Sequence, residues 1–451
     1  MPLVHILPLD GTSILFIILN CIILIYILNH KKTNKNFPPG PRPLPLVGNV
    51  FILDRSRPFK TLMELKEKYG SVFSIQLGFQ KMVVLSGYET VKEALVLKAD
   101  QFSERPDIPI FKQITKGNGQ PFLATIPMNA ATSNIIVSLI MGKRLEYDDE
   151  NFIKLLVLNS ESFKLVGGPY IQLYNMFPML HPLPGPHYKV LEHQNILKDF
   201  FRKIFIQHRE VLCENDKRSY IDAFMSKMEE EKNNPYSHFH EMNLLCSVTN
   251  LFVAGTETTS STLFWGLLIL IKHPNIQMKV HEEIDRVIGE SQPRAHHRQM
   301  MPFTDAVIHE IQRFADILPM DLPHETTSDV ILQGYCIPKG TYIIPLLRSV
   351  HRDKNHWEKP DHFHPQHFLD EQGKFVKREA FMPFSAGRRL CLGETLARME
   401  LFLFFTSLVQ NFCFHAPEGV NGEDIDLSPI GGLTVCPPNI QVRALARSRN
   451  A

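Results

Sequence analysis

Residues 381–400 read FMPFSAGRRLCLGETLARME, and Cys391 stands there between an Arg/Gly turn and a long apolar run. Alone, a cysteine is more often a small buried hydrophobe than a ligand. Its neighbours point instead to an anionic sulfur. Gly387 and Gly393, at i−4 and i+2, let the backbone turn tightly and bring amide N–H groups toward it. Arg388 and Arg389 add positive charge. The run LGETLARMELFLFFTSLVQ from Leu392 predicts a helix whose N-terminal dipole faces the sulfur, and these features together predict a lowered thiol pKa. A nucleophilic cysteine needs a partner histidine, and a zinc site needs more Cys or His at short spacing. The next cysteine is Cys413, and neither pattern is present. One thiolate, with Phe384 seven residues before it, suggests a single axial bond to the metal of a flat cofactor.

The elements that must position this loop are legible in outline. The 451 residues are enough for a large domain with a sizeable core. With 48 basic and 47 acidic residues no global field draws the chain to polyanions, so nucleic acid is not an expected partner. Seven scattered cysteines without C-x-x-C speak against a disulfide framework and for a reducing compartment. Residues 11–28, GTSILFIILNCIILIYIL, carry no charge, and as a helix they would span about 27 Å, close to the thickness of an endoplasmic reticulum bilayer. Lys31, Lys32 and Lys35 follow at once, which orients the remainder toward the cytosol. No small-x-small cleavage site follows Leu28, so the segment reads as an uncleaved signal anchor.

Residues 1–30 are thus an anchor and 31–50 a basic, proline-rich connector. The folded domain covers 51–451. Helical periodicity dominates from about residue 130, with short β-rich stretches such as SVFSIQL and KMVVLSG before it. The expected fold class is mainly α with small β-sheets, α+β, in one large domain. Residues 244–273 are apolar at both ends with a polar patch from Gly255 to Thr262, the reverse of a membrane span, and predict a core helix crossing a polar site. His351, His356, His362, His364 and His367 lack ligand spacing on one element and read as a solvated loop. HEEID at 281 fails H-E-x-x-H because residue 285 is Asp.

F-x-x-G-x-R-x-C-x-G is matched at every fixed position by Phe384, Gly387, Arg389, Cys391 and Gly393. This resembles the haem-binding loop of the cytochrome P-450 superfamily, whose iron takes a cysteine thiolate. Further stretches resemble the same family. Glu310 and Arg313 in EIQR match its E-x-x-R pair, which forms a salt bridge one helix turn apart. AGTETT at 254–259 resembles its distal-helix motif, in which Glu257 and Thr258 would relay protons and Gly255 would leave room for oxygen. HPQHF resembles its P-x-R-F segment with His367 in place of Arg. The likeness runs over nearly the whole chain and is greatest to the microsomal family two.

The resemblance implies the P-450 fold behind an N-terminal transmembrane anchor in the endoplasmic reticulum membrane, with haem ligated by Cys391. It implies a monooxygenase acting on fatty acids and foreign lipophiles. Phe252, Ala254, Thr258, Ile317, Leu318, Met320 and Leu433 would line the pocket, an apolar set suited to a greasy substrate. His324 would reach a haem propionate. Membrane lipid, an NADPH-cytochrome reductase and cytochrome b5 are the implied partners. No G-x-G-x-x-G follows a strand here, so neither NADPH nor flavin is expected on this chain.

One departure stands out. Relatives carry, after a GNG like that at 117–119, a stretch of about fifty residues with a W-x-x-x-R helix that serves the haem propionates, whereas here GNG runs straight into QPFLATIPMNAATSN. The two tryptophans, Trp265 and Trp357, lie elsewhere. A haem-deficient variant that competes for the reductase is therefore the alternative, and haem content separates the two. An isomerase or dehydratase of peroxides on the same scaffold is a third reading, disfavoured by Thr258.

Overall fold

The computed structural model describes residues 37–447 apart from 45–46, 55–56, 79, 99–125, 148, 212–217, 417–419, 439 and 441. The expected anchor at 11–28, with its flanking lysines, and the GNG junction lie outside the described residues. No helix among the described residues is long and apolar enough to cross a membrane.

Twelve α-helices are described: α1 Pro58–Tyr69, α2 Tyr88–Lys92, α3 Ile126–Met141, α4 Glu150–Gly167, α5 Pro169–Met176, α6 Pro186–Val211, α7 Tyr220–Glu230, α8 Glu241–Lys272, α9 Pro274–Val287, α10 Pro302–Ala315, α11 Leu347–His351 and α12 Glu394–Asn411. The strands are β1 Val72–Leu77, β2 Gln80–Leu85, β3 His324–Glu325, β4 Val330–Leu332, β5 Tyr335–Ile337, β6 Tyr342–Pro345, β7 Phe412–His415 and β8 Arg443–Ala446. The expected mixture of many helices and little sheet is what forms. One four-stranded sheet has the order β1-β2-β6-β3, and β4-β5 and β7-β8 are two-stranded. β2 and β6 run parallel with Met82 opposite Tyr342, so the N-terminal strands are closed by residues far along the chain.

The described part of the proline-rich connector lies along β1. Ser74 donates its N–H to the Pro39 carbonyl at 2.7 Å and its hydroxyl to that of Pro38 at 2.8 Å. A Cβ on Gly40 would sit 1.9 Å from the Ser74 carbonyl oxygen, so only glycine permits this approach.

α8 is the axis of the domain. Its 32 residues extend about 48 Å, and α3, α6, α10 and α12 pack around it. His240 caps its start by accepting the Asn243 N–H. Pro274 ends it, because proline disfavours the helical region at the preceding residue. Its polar middle is satisfied internally, as the sequence predicts for a core helix: Thr256, Thr258, Ser260 and Thr262 each donate to a carbonyl four residues back. Ser133 of α3 shares a 2.7 Å hydrogen bond with Thr256. At Gly255 an added Cβ would lie 2.6 Å from the Ile136 side chain. That glycine lets α3 and α8 approach on this side.

α10 carries a fully buried ion pair. The Arg313 guanidinium grips Glu310 with two 2.7 Å bonds and donates to the carbonyls of His351, Pro360 and His362. Trp357 packs beneath it, 5.1 Å from guanidinium carbon to ring centre. Glu310 also accepts the His364 N–H at 2.7 Å and lies 3.3 Å from His367 Nδ1. Because His367 Nε2 accepts the Lys359 N–H, its proton sits on Nδ1 and faces Glu310. Burial pushes the Glu310 carboxyl up, but the hydrogen bonds from Arg313 and His367 win and hold it below its ordinary range.

The histidine-rich segment is only in part the solvated loop its sequence suggests: His356 and His362 are exposed. His351 and His367 are buried, His351 between the Asp316 carboxylate at 2.9 Å and the Met382 N–H at 3.2 Å. Their partners lie 35 and 57 residues away, a spacing no local pattern shows.

Glu310→Gln leaves Arg313 buried without its counter-charge, and urea unfolding of the detergent-solubilised chain should show a loss of about 3 kcal/mol or more. Asp199→Asn, which breaks the exposed 2.6 Å pair with Arg202, should change stability by less than about 1 kcal/mol. Equal losses would refute the ranking. A second expectation concerns Glu400 of α12, whose carboxyl burial pushes up to about 7, opposed by a hydrogen bond from Thr259. The folded state then holds this proton more tightly than the unfolded one, so stability falls as pH rises from the ordinary glutamate range to about 7. Glu400→Gln should remove that slope and stabilise the protein above pH 7, by on the order of 2–3 kcal/mol; melting temperatures across that pH range check it.

Candidate functional site

The cysteine loop is held by its own backbone. Residues Gly387–Arg389 form one 3₁₀ turn, entered through Ser385 at φ 64° and Gly387 at φ 75°. The Cys391 N–H donates to the Phe384 carbonyl at 3.0 Å, and the Glu394 N–H to the Cys391 carbonyl at 3.3 Å. Gly393 is the N-cap of α12, the helix expected there. Cys391 is exposed, as are Gly387, Arg388, Arg389 and Gly393. Arg398 of α12 stacks over Phe384 at 5.0 Å and donates to His309 Nε2 at 3.1 Å, tying the loop to α10.

The amides of Gly393 and Glu394 turn toward the sulfur, as the glycine spacing suggests. They do not set the sign of its titration. Although the residue is open to solvent on one side, protein crowding at the sulfur dominates, and with the Glu394 and Asp321 charges it pushes the Cys391 thiol up. The expected lowering is corrected: desolvation, with the Glu394 and Asp321 charges, outweighs the two amides.

α12 meets α8 where Glu400 contacts Thr259, one residue from Thr258. There α8 has its one open strip. Leu251, Ala254, Gly255 and Thr258, at i, i+3, i+4 and i+7, are not buried, while their neighbours from Phe252 to Ile271 are. The Thr258 hydroxyl donates to the Ala254 carbonyl at 2.9 Å. Glu257 turns off this strip into the core, fully buried, where its Oε1 accepts the Ser261 hydroxyl at 3.0 Å and the Cys436 thiol at 3.5 Å. Burial, with this carboxylate beside it, pushes the Cys436 thiol up to about 12.

The apolar candidates come from three segments. Ile317, Leu318 and Met320 are partly buried just after α10. Leu433 comes from the C-terminal turn, which the Val435 N–H fixes to the Ile317 carbonyl at 2.8 Å and Trp265 Nε1 fixes to α8 at 3.1 Å. Phe252 differs: it is buried, edge-on to Phe201 of α6 at 5.8 Å, in the core behind the open strip. His324 is buried in β3, with Nε2 3.6 Å from Asp321 Oδ2. Asp321 also accepts the Ser385 hydroxyl at 2.6 Å. Neither Asp321 nor Ser385 belongs to a motif, so sequence gave no signal for either.

These residues fit the iron porphyrin the resemblance implies. The sulfur is open, with two amides turned toward it. An exposed alanine and a half-open threonine break an otherwise buried helix beside it, and the exposed guanidinium-bearing turn offers charge to the porphyrin carboxylates.

Comparison with known proteins agrees. The sequence model of the family described as Cytochrome P450 matches residues 38–127 and 114–444, two stretches that overlap around GNG. Cytochrome P450 2K4 of Oncorhynchus mykiss is 44% identical, over 91% of this chain and 92% of its own length. Cytochrome P450 2F2 of Mus musculus is 42% identical over 90% and 93%, and Cytochrome P450 2F1 of Homo sapiens 40% over 96% and 98%. The first alignment runs over 462 positions, more than the 451 residues of the chain, so that relative carries residues with no counterpart here. With the cysteine loop, the buried Glu310–Arg313 pair and the open strip of α8 in one structure, the chain belongs to the cytochrome P450 family, in the branch of these family-two relatives, and its cofactor is thiolate-ligated haem.

Proposed function

We propose that the protein is a membrane-anchored monooxygenase that inserts one atom of molecular oxygen into lipophilic small molecules, fatty acids and foreign compounds among them. The observation that carries this is the open cysteine loop at the start of a helix that meets α8 at Thr259, next to Thr258. Haem, when bound, supplies the iron chemistry that activates oxygen. Cys391 offers the thiolate, and the Gly393 and Glu394 amides favour its negative charge. Phe384, Gly387, Arg389 and Gly393 fix the loop that presents it.

Thr258 holds a hydroxyl proton at the open strip. Glu257 holds a carboxylate one residue away in the core, with Ser261 and Cys436 as its hydrogen-bond donors. We assign these two residues the delivery of protons. Ile317, Leu318, Met320 and Leu433 give the substrate an apolar surface and exclude water, Ala254 leaves space on the strip, and Phe252 backs that wall. Electrons come from a separate NADPH-cytochrome reductase, with cytochrome b5 as a second donor. Residues 11–28 anchor the chain in the endoplasmic reticulum membrane with the domain on the cytosolic side.

A second reading is favoured by one observation. GNG is followed directly by QPFLAT, and the family match breaks into two overlapping stretches there. A chain without the W-x-x-x-R helix has fewer donors for haem carboxylates, and a buried carboxylate without partners costs several kcal/mol. Such a chain would be a haem-deficient competitor for the reductase. The reduced, carbon monoxide-treated protein separates the two. A thiolate-type Soret band at full haem stoichiometry is expected, lost in Cys391→Ala and kept in Cys413→Ala. A haem-free spectrum in the unaltered chain would sink the enzyme reading, and equal effects of the two substitutions would sink the ligand assignment.

A further inference from the structure

We propose that Asp321 is a resident anion in the cofactor cradle: its carboxylate takes the seat of one haem carboxylate, so that haem is held only by displacing it. The proposal rests on the haem reading above and concerns how strongly this chain holds the group.

The carboxylate is engaged on both oxygens. Oδ1 accepts the Leu322 N–H at 2.7 Å. Oδ2 accepts the Ser385 hydroxyl at 2.6 Å and lies 3.6 Å from His324 Nε2. Its side chain is only 7% exposed. Ser385 adjoins Phe384, whose carbonyl takes the Cys391 N–H, so the anion is one residue from the strap that carries the sulfur.

The backbone shows that this contact is imposed. Asp321 at φ 53° and Ser385 at φ 64° are two of the four non-glycine residues among those described that have positive φ, and one hydrogen bond joins them. Left-handed backbone costs about 1–2 kcal/mol at a residue such as Ser385 and less at an aspartate, and such strain persists where the surroundings over-determine it.

The chemistry follows from counting donors. A thiolate-ligated iron porphyrin brings two carboxylates of its own, each of which needs hydrogen-bond donors or cations. Beside the cysteine loop, the half-buried Ser385 and the buried His324 already face a carboxylate. Two carboxylates sharing that place repel, so entry of a porphyrin carboxylate requires Asp321 to rotate away and release Ser385. Asp321 is thus a positioning residue that opposes retention of the cofactor.

The test uses the full chain in detergent, stripped of haem. It is titrated with ferric protoporphyrin IX and, separately, with its dimethyl ester, which lacks the two carboxylate charges, following Soret absorbance. Asp321→Asn keeps the side-chain shape, and Asp321→Gly suits the left-handed backbone, so at least one variant should fold. Both should bind protoporphyrin about tenfold more tightly than the unaltered chain and leave the ester within about twofold. Binding no tighter than the unaltered chain would overturn the proposal while the haem reading stands. An equal gain for both porphyrins would also overturn it, because the effect would then be steric. Failure of the unaltered chain and both variants to bind either porphyrin would remove the haem reading itself.

Discussion

The architecture depends on a buried charge pair that it must enclose completely. Glu310 and Arg313 are both fully buried, and ions so placed are tolerated only when their hydrogen-bonding capacity is filled. Filling it recruits three carbonyls and one amide from residues 351–364. The coil between α11 and the cysteine loop is thereby bound to α10. His351, whose carbonyl Arg313 uses, also carries the Met382 N–H on its ring. The ion pair thus reaches the strap of Cys391 through one further residue, and the sulfur is positioned by groups that touch neither it nor any substrate.

The same logic accounts for α8. A hydroxyl-rich stretch inside a helix competes with the helix for hydrogen bonds, yet here the hydroxyls of Thr256, Thr258, Ser260 and Thr262 turn back to carbonyls of their own helix. The helix keeps its ladder, and Gly255 lets α3 close over one side. What remains uncovered is the narrow strip of Leu251, Ala254, Gly255 and Thr258. Thr258 faces that strip, while Glu257 lies in the core with Cys436 and Ser261 as its hydrogen-bond donors.

Much of this was legible in sequence because it is local. The tight turn at Gly387, the helix after Cys391 and the one-turn spacing of Glu310 and Arg313 depend on residues a few positions apart. The polar centre of 244–273 was legible too, because a membrane helix would have placed its apolar residues the other way. Contacts between distant segments were not legible. Asp321 and Ser385 are 64 residues apart, and neither residue type signals the other. The histidines looked like a solvated loop because their acids, Asp316 and Glu310, sit on or just after a different helix. The sign of the Cys391 shift failed in part for the same reason: desolvation, its largest cause, and Asp321 come from across the fold, although Glu394 is a neighbour in sequence.

Cofactor retention and fold stability are consequently separable in this chain. Every bond that shapes the cysteine loop is made by protein alone: Cys391 to Phe384, Ser385 to Asp321, Met382 to His351. A loop already ordered loses little conformational entropy when a ligand arrives, which favours binding. The Ser385–Asp321 bond acts the other way, because a hydrogen bond to a charged group is worth about 1.5–3 kcal/mol and must be exchanged rather than simply gained. The bond that preforms the loop around its strained turn is therefore also the one that an incoming anion has to replace.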